Sequence, residues 1–355
     1  MPYPDFPSDC SSALCRHLTP KLYAQLETLE TRYGFTLDQL INSGVENPDS
    51  SIGVYAGDEE SYELFAPLLD PIIREYHHFD PVSDRHRSDM DPSHLDAPDP
   101  DPEGDFILST RIRVGRNLHC FPLGPSLARR ERLIAECLIV EALKALEGDL
   151  AGKYYPLEGM NEATRHRLIE DHFLFKEGDR FLESAGLNRN WPEGRGIYHN
   201  DDKTFLVWVN EEDQLRIISM QPGGDIAEVF ERLARAVTEL ERRLSFAYSN
   251  RLGYLTSCPT NLGTAMRASV HIRLPRLAEH RERFKAICDR HELQIRGIHG
   301  EHSESEGGIY DISNRRRLGI TEVEAVRRMA LGVRELIEAE ESLPMLGTDS
   351  VKANV

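Results

Sequence analysis

The stretch Cys258-Pro259-Thr260-Asn261-Leu262-Gly263-Thr264 places a thiol in a constrained setting. Pro259 fixes its own φ and biases Cys258 toward an extended backbone. Gly263 lets the chain turn tightly or approach a ligand closely. The Thr260 hydroxyl is within reach of the sulfur. Near cations such a thiol ionises at neutral pH; away from them it is an inert cysteine beside a turn. Arginines recur in a second pattern. Arg111 and Arg113 lie two apart, Arg216 sits between Leu215 and Ile217, Arg267 alternates with Ala268, and Arg296 follows Ile295. A period of two puts side chains on one face of a strand. One such strand is an ordinary solvated face. Four, in a chain of net charge -18, point to a polyanion. Guanidinium forks grip phosphate oxygens bidentately, which makes a nucleoside triphosphate the natural ligand. There is no Gly-x-x-x-x-Gly-Lys-Ser/Thr loop and no His-Arg-Asp or Asp-Phe-Gly set, so side chains must carry the phosphates. Two further acids stand out: Glu212 in the turn Asn210-Glu211-Glu212-Asp213, and Glu301 among Gly297, Gly300, Gly307 and Gly308. Read alone, each is a solvated surface acid.

Taken together, these stretches resemble the phosphagen (guanidino) kinases. The resemblance runs from about residue 20 to about residue 340. It rests on Cys258 to Thr264, Ser109 to Arg113, Asn210 to Asp213 with Leu215-Arg216-Ile217, Arg267 to His271, Arg296-Gly297 with Gly300-Glu301-His302, and Tyr310 to Asn314. It implies reversible transfer of the ATP γ-phosphoryl group to a guanidinium. Glu212 and Glu301 would then grip the guanidinium with Cys258 and accept its proton. Cys258 would orient and stabilise charge without forming a covalent intermediate. Nucleotide binding is implied for Ser109, Thr110, Arg111, Ile112, Arg113, His172, Arg216, Arg267, Ala268, Ser269, Val270, His271, Arg296, Gly297, Gly300 and Glu301. No Asp/Glu cluster has metal-ligand spacing, so Mg²⁺ is expected on phosphates and water. Alignment and charge neutralisation should supply most of the rate. Residues 297–309 read as a lid on glycine hinges that closes to exclude water.

Substrate choice is expected in the loop Ser50 to Tyr55, with Ser51, Ile52, Gly53, Val54 and Tyr55 as contacts. Its length, Gly53 and Tyr55 match the arginine-specific members of the family, while Ser51 stands where they usually carry Gly. Asp49 and Arg180 match a pair that ties this loop to the catalytic domain. L-Arginine is therefore expected over taurocyamine, lombricine or creatine. A protein-arginine kinase shares the core but lacks the helical region, and an inactive nucleotide-binding scaffold is the reading from another class.

The elements that must position these groups change character along the chain. Thr19-Pro20 and Thr36-Leu37-Asp38-Gln39 are helix starts. Another helix is expected over 59–77, with bends at Pro67 and Pro71. Residues 1–80 thus read as a small all-α domain. Residues 81–105, rich in Pro and Asp, read as a linker or wrapping segment. Residues 106–355 read as the catalytic domain, where strands alternate with long helices. Phe106 to Val114 and Met266 to Leu274 read as strands, and Thr204 to Val209 with Gln214 to Met220 as a hairpin. A helix from Ser126 is expected to turn Leu133, Cys137, Val140 and Leu143 inward, and others start at Asp225, Pro275 and Thr321. Hairpin pairing argues for an α+β class: an antiparallel sheet flanked by helices. The resemblance implies a glutamine-synthetase-like catalytic fold.

With 355 residues, 40% hydrophobic and 29% charged, two cored domains are expected. The acidity argues against nucleic acid or an anionic membrane as partner. No apolar run approaches a membrane span, and the first ten residues show no leader pattern. Six scattered cysteines without Cys-x-x-Cys spacing predict free thiols in a reducing cytoplasm. Monomer and homodimer both remain open.

Overall fold

The computed structural model describes residues 2–171, 173–297 and 307–344. The first region is helical: α1 (Ala13–His17), α2 (Pro20–Leu26), α3 (Leu37–Glu46), α4 (Ser61–Leu64) and α5 (Ala66–His77). Thr19 Oγ1 accepts from Leu22 N at 3.2 Å and caps α2, with Pro20 in the first turn. Thr36 and Gln39 form the reciprocal box that starts α3. The helix expected over 59–77 is two helices, broken at Phe65. Pro67, which has no N–H to donate, fits the first turn of a new helix better than the interior of a continuous one.

The larger region is built on a sheet that has eight strands among the described residues. Its strands are β1 (Ile107–Arg116), β2 (Gly152–Pro156), β3 (Gly196–Asn200), β4 (Phe205–Val209) and β5 (Leu215–Pro222), then β8 (Met266–Arg273), β9 (Leu293–Arg296) and β10 (Ile309–Asn314). A small separate ribbon supplies β6 (Tyr248–Ser249) and β7 (Gly253–Tyr254). The order across the sheet is β2-β3-β4-β5-β1-β8-β10-β9, with antiparallel neighbours throughout. The remaining helices are α6 (Arg129–Leu143), α7 (Glu162–Glu170), α8 (Arg180–Ser184), α9 (Ile226–Glu241), α10 (Pro275–Glu279), α11 (Arg281–Arg290) and α12 (Glu322–Glu341). One sheet face packs against α9, α11 and α12. There Ile112, Val114, Ala268 and Val270 meet Phe230, Leu233 and Val333 in the main core. Each fully buried Leu, Val or Phe there contributes about 1.5–3 kcal/mol. The opposite face is covered at one end by Leu157, Leu174 and Phe175 against Trp208. At its centre it carries the arginines.

Helix α6 departs from expectation. It begins at Arg129, where Glu131 accepts from the Ala128 N–H at 2.9 Å. Its buried stripe is Arg132, Ala135, Ile139, Ala142 and Leu143. Of the residues expected inward, Cys137 is exposed and Leu133 and Val140 are half-buried. Both stripes have helical spacing; the alanine-containing one lets the helix approach the body of the domain more closely, and packing chose it.

The helical region does not enclose a core of its own. Its cluster is completed by Leu123, Ala247, Leu252, Leu255, Cys258, Leu262 and Leu318 from the larger region. Ala56 N donates to Ser257 O at 2.7 Å, Tyr62 Oη to Thr256 O at 2.7 Å, and His77 Nε2 lies 2.8 Å from Pro259 O. The N-terminal helices thereby hold the Cys258 segment. The Pro/Asp-rich stretch wraps the larger region. Ser88 Oγ and Asp89 N donate to buried Glu322 at 3.0 and 2.8 Å, and Gly319 N donates to His86 Nδ1 at 3.3 Å. The expectation of six free thiols needs correcting. Cys10 and Cys15 are joined, because the Ser12-capped first turn of α1 brings them together. Cys120 and Cys137 are free and exposed, while Cys258 and Cys288 are free and buried.

Candidate active site

Strand pairing assembles the arginines. Across the sheet Gly115 stands opposite Arg216, Arg113 opposite Arg267, Arg111 opposite Ser269, and Ser109 opposite His271. Arg111, Arg113, Arg216 and Arg267, with Ser109, Ser269 and His271, line one pocket of about 530 Å³. Trp208 forms a wall, with the Arg111 and Arg216 guanidinium carbons 5.4 and 5.8 Å from a ring centre. The Nε atoms of Arg111 and Arg267 are buried without a hydrogen-bond partner. Burial, then neighbouring Arg267 and Arg216, pull the Arg111 pKa down to about 10. Arg113 is lowered in the same way. Cations this desolvated and crowded lack counter-charge, which a polyphosphate would supply. Arg267 is partly answered by Asp311 at 2.8 Å.

Glu212 is joined to this pocket through Arg216, which lines it. Its Oε2 accepts from Arg216 Nη2 at 3.0 Å, and its Oε1 accepts from Asn261 Nδ2 at 3.2 Å. Arg216 Nη1 reaches Glu211 at 2.7 Å. Burial raises the Glu212 pKa to about 7 against the opposing pull of Arg216, with Asp213 and Glu211 adding to the rise. Arg216 goes the other way. Burial acts to lower its pKa, but Glu211, Glu212 and Asp213 outweigh that and raise it. Asp213 is structural, accepting from Asn117 Nδ2 at 2.8 Å and so tying the acidic turn to β1's exit.

Cys258 lies beside Glu212, with its Sγ 3.1 Å from Thr260 Oγ1. Its setting differs from the cationic one that would ionise it. Burial, then the charge of Glu212, push the thiol up to about 12, and the Thr260 contact offsets only part of this. The group in the structure is a thiol. A cation placed between Cys258 and Glu212 would reverse the electrostatic part of that shift.

The substrate loop is rigidly backed. Ala13 N and Leu14 N donate to Ser51 O and Ile52 O at 3.0 Å each, and Gly44 N donates to Gly53 O at 3.1 Å. A Cβ on Gly44 would lie 2.4 Å from Gly53 O, so α3 and the loop meet backbone to backbone. Gly53 itself has φ +75°. Ser51 is exposed, Ile52, Gly53 and Val54 are buried, and Tyr55 is half-buried. Burial, and then the charges of Cys258 and Glu212, raise the Tyr55 pKa. Arg180 pairs with Asp49 and donates to Asn47 Oδ1 at 3.2 Å, joining the loop to α8.

The expected nucleotide residues divide by strand alternation. Ser109, Arg111, Arg113, Arg267, Ser269 and His271 face the pocket. Ile112, Ala268 and Val270 are fully buried in the main core, and the Thr110 hydroxyl donates to Gly223 O at 2.8 Å. Their side chains point away from the pocket, as a period of two requires. Arg296 stands in register with Asp311, its Nη2 donating to Gln294 Oε1 at 3.0 Å, and Gly297 is buried. His172, Gly300 and Glu301, with most of the expected lid, lie outside the described residues. Sequence reasoning missed Trp208, Glu211, Asn261 and Asp311 as site residues. Glu211, Asn261 and Asp311 lay within the quoted motifs. Trp208 alternates with Val207 and Val209 and was readable as a pocket-facing strand residue.

Comparison with known proteins agrees with this architecture. Residues 8–74 match the N-terminal domain of ATP:guanido phosphotransferases, and residues 135–343 match their C-terminal catalytic domain. An arginine kinase of Anthopleura japonica is 58% identical over 337 residues, which are 94% of this chain and 47% of that protein. The chain therefore spans about half the length of that relative. Arginine kinase Lit v 2.0101 of Penaeus vannamei is 53% identical, over 95% of this chain and 94% of that one. Among solved structures, a lombricine kinase is 40% identical with a TM-score of 0.89, over 96% of this chain and 94% of that one. The duplicated taurocyamine kinase of Schistosoma mansoni, with transition-state analogue components bound, is 44% identical with a TM-score of 0.87. That match covers 93% of this chain and 46% of that one. With both domain types matched in order over most of its length, the chain belongs to the ATP:guanido phosphotransferase family.

Proposed function

We propose that the protein transfers the γ-phosphoryl group of MgATP reversibly to the guanidinium of L-arginine, giving phosphoarginine and ADP. The observation that carries this reading is Arg216, which lines the arginine pocket and also holds Glu212, so the phosphate and guanidine subsites share one residue. In the forward direction a guanidine nitrogen attacks the γ-phosphorus, the bond to the β-phosphate oxygen breaks, and the guanidine proton passes to Glu212. Arg111, Arg113, Arg216 and Arg267 neutralise the phosphates and fix their line of transfer. Glu212 and Cys258 fix the plane of the guanidinium, with Glu301 as the expected second carboxylate. Among the described residues no three His, Cys, Asp or Glu side chains converge as metal ligands. Mg²⁺ is expected on the phosphates and water, as a small hard cation that gives up its water reluctantly.

Arginine is favoured over taurocyamine and lombricine by the backed loop around Gly53 and Tyr55, and by the higher identity to arginine kinases. Among the described residues no helix is long and apolar enough to cross a membrane. A coupled ADP-release assay comparing L-arginine, taurocyamine, lombricine, creatine and a protein substrate tests the proposal. Turnover on L-arginine alone supports it. Turnover on another free guanidine overturns the specificity, and phosphate appearing only on protein overturns the reaction.

A further inference from the structure

The crosslink between Cys10 and Cys15 closes the start of α1, the helix that backs the substrate loop. The two Cα atoms are 6.4 Å apart, within the span a disulfide bridges. Both cysteines are half-buried, so small solutes can reach them. Between them Ser12 is fully buried and accepts from Cys15 N at 3.2 Å. The next two amides, Ala13 N and Leu14 N, donate outside the helix, to Ser51 O and Ile52 O at 3.0 Å each.

Helix α1 has five residues, too few to hold itself in water. Its first turn therefore depends on what fixes its start. Tyr3 Oη donates to Leu18 O at 2.8 Å and pins the preceding arm at the far end of α1, while the crosslink pins it at the near end. Cys10 Sγ also lies 3.4 Å from Pro48 O, beside Asp49, so one sulfur touches both α1 and the approach to the loop. As a thiol it can donate to that carbonyl; as a disulfide it has no proton to give. The two redox states thus give Cys10 different partners. The cysteines are only 5 apart in sequence, and so short a ring gains less from loop closure than a long one. The surrounding thiol pool then decides whether the bond persists.

We propose that Cys10 and Cys15 are a reversible thiol–disulfide site whose state sets the affinity of the Ser50 to Tyr55 loop for the guanidine substrate. The co-reactant is a low-molecular-weight disulfide. One cysteine thiolate attacks it and releases one small thiol, and the second cysteine thiolate then displaces the small thiol still attached. Two Cys S–H groups and one RSSR become one Cys–Cys bond and two RSH. The bonded state holds Ala13 N and Leu14 N on the loop carbonyls, and the reduced state lets that turn fray. The effect on affinity rests on the guanidine reading of the loop; the effect on the two amides does not.

Full-length protein equilibrated with reduced or oxidised glutathione tests this. Peptide mapping after thiol alkylation should find Cys10 linked to Cys15 in the oxidised sample and both alkylated in the reduced one. Reduction should speed hydrogen exchange at the Ala13 and Leu14 amides about tenfold, and raise the KM for L-arginine about threefold with little change in kcat. In Cys10→Ser/Cys15→Ser both quantities should stand at the reduced values in either buffer. A pair that does not form with oxidised glutathione, or forms without slowing exchange at Ala13 and Leu14, overturns the proposal. A double variant that still responds to the buffer also overturns it, because another cysteine is then responsible. A change in exchange without a change in KM overturns the link to affinity. A change in exchange in a protein that does not turn over L-arginine supports the redox site and counts against the arginine reading.

Discussion

Arg216 Nη2 donates to Glu212 Oε2 at 3.0 Å, so the carboxylate proposed to grip the substrate already carries the protein's own guanidinium. Its other oxygen is held by Asn261. To take the substrate, Glu212 must exchange partners, and Arg216 must find another anion.

Glu211 and the phosphates are the available anions. Phosphates that draw Arg216 toward Arg111 and Arg267 release Glu212, and Glu211, 2.7 Å from Nη1, keeps Arg216 poised. Nucleotide and guanidine should therefore strengthen each other's binding. In Glu211→Gln the ratio of guanidine Kd without and with ADP should fall by about fivefold, toward one. Calorimetric titration of each ligand in the presence of the other checks this. Equal weakening of both ligands with an unchanged ratio would mean that Glu211 only supports the turn.

The raised pKa of Glu212 sets a pH dependence. A proton acceptor must be ionised, so kcat/KM should climb with pH and level off above about 7. Glu212→Gln should lower turnover by about 100-fold or more and remove that ionisation from the profile. Stability should run oppositely. A carboxyl whose folded pKa exceeds its unfolded value near 4.5 stabilises the fold at low pH and loses that contribution as pH rises through about 7. Thermal melts should then show Glu212→Gln gaining on the wild type between pH 5 and pH 8.

The Asp49–Arg180 pair should act on substrate affinity more than on the fold. Its side chains are 62% and 57% exposed, and such pairs are worth about 1 kcal/mol or less. Arg180→Ala should raise the KM for the guanidine about twofold to fivefold and leave kcat and the melting temperature nearly unchanged. A larger loss in kcat than in KM would place the pair in the chemistry.

Two buried histidines predict acid sensitivity. Burial lowers both His77, which holds the Cys258 segment through Pro259 O, and His86, in the wrapping segment, to about 4. Their neutral forms support the fold fully above pH 6.5, and the support is lost as pH falls toward 4. At 1.36 kcal/mol per unit, each is worth about 3 kcal/mol over that window. Urea unfolding at pH 7, 5.5 and 4 should show a flatter dependence in His77→Gln, whose amide still donates to Pro259 O.

Local pattern was legible where local physics decides. Thr19, Thr36, Asp225 and Thr321 each cap the helix expected after them. Arg111 and Arg113 share a face because a strand alternates, whatever its neighbours. The motifs carried the family. Strand β2 was missed because only Tyr154 of its five residues turns toward the core, half-buried, while the other four are exposed and leave no alternation to read. The wrapping of residues 80–105 was open because composition marks an extended chain without saying what it lies on.

Sequence by itself thus determined residue types, periods, caps and membership of a kinase family. Tertiary structure alone decided that Glu212 meets Arg216 and Asn261, that Cys258 sits among carboxylates as a thiol, and which stripe of α6 faces out. The reason is physical. Caps and alternation depend on residues a few positions apart. Burial, charge pairing and helix facing depend on which distant segments become neighbours, as when β1 takes β5 on one side and β8 on the other.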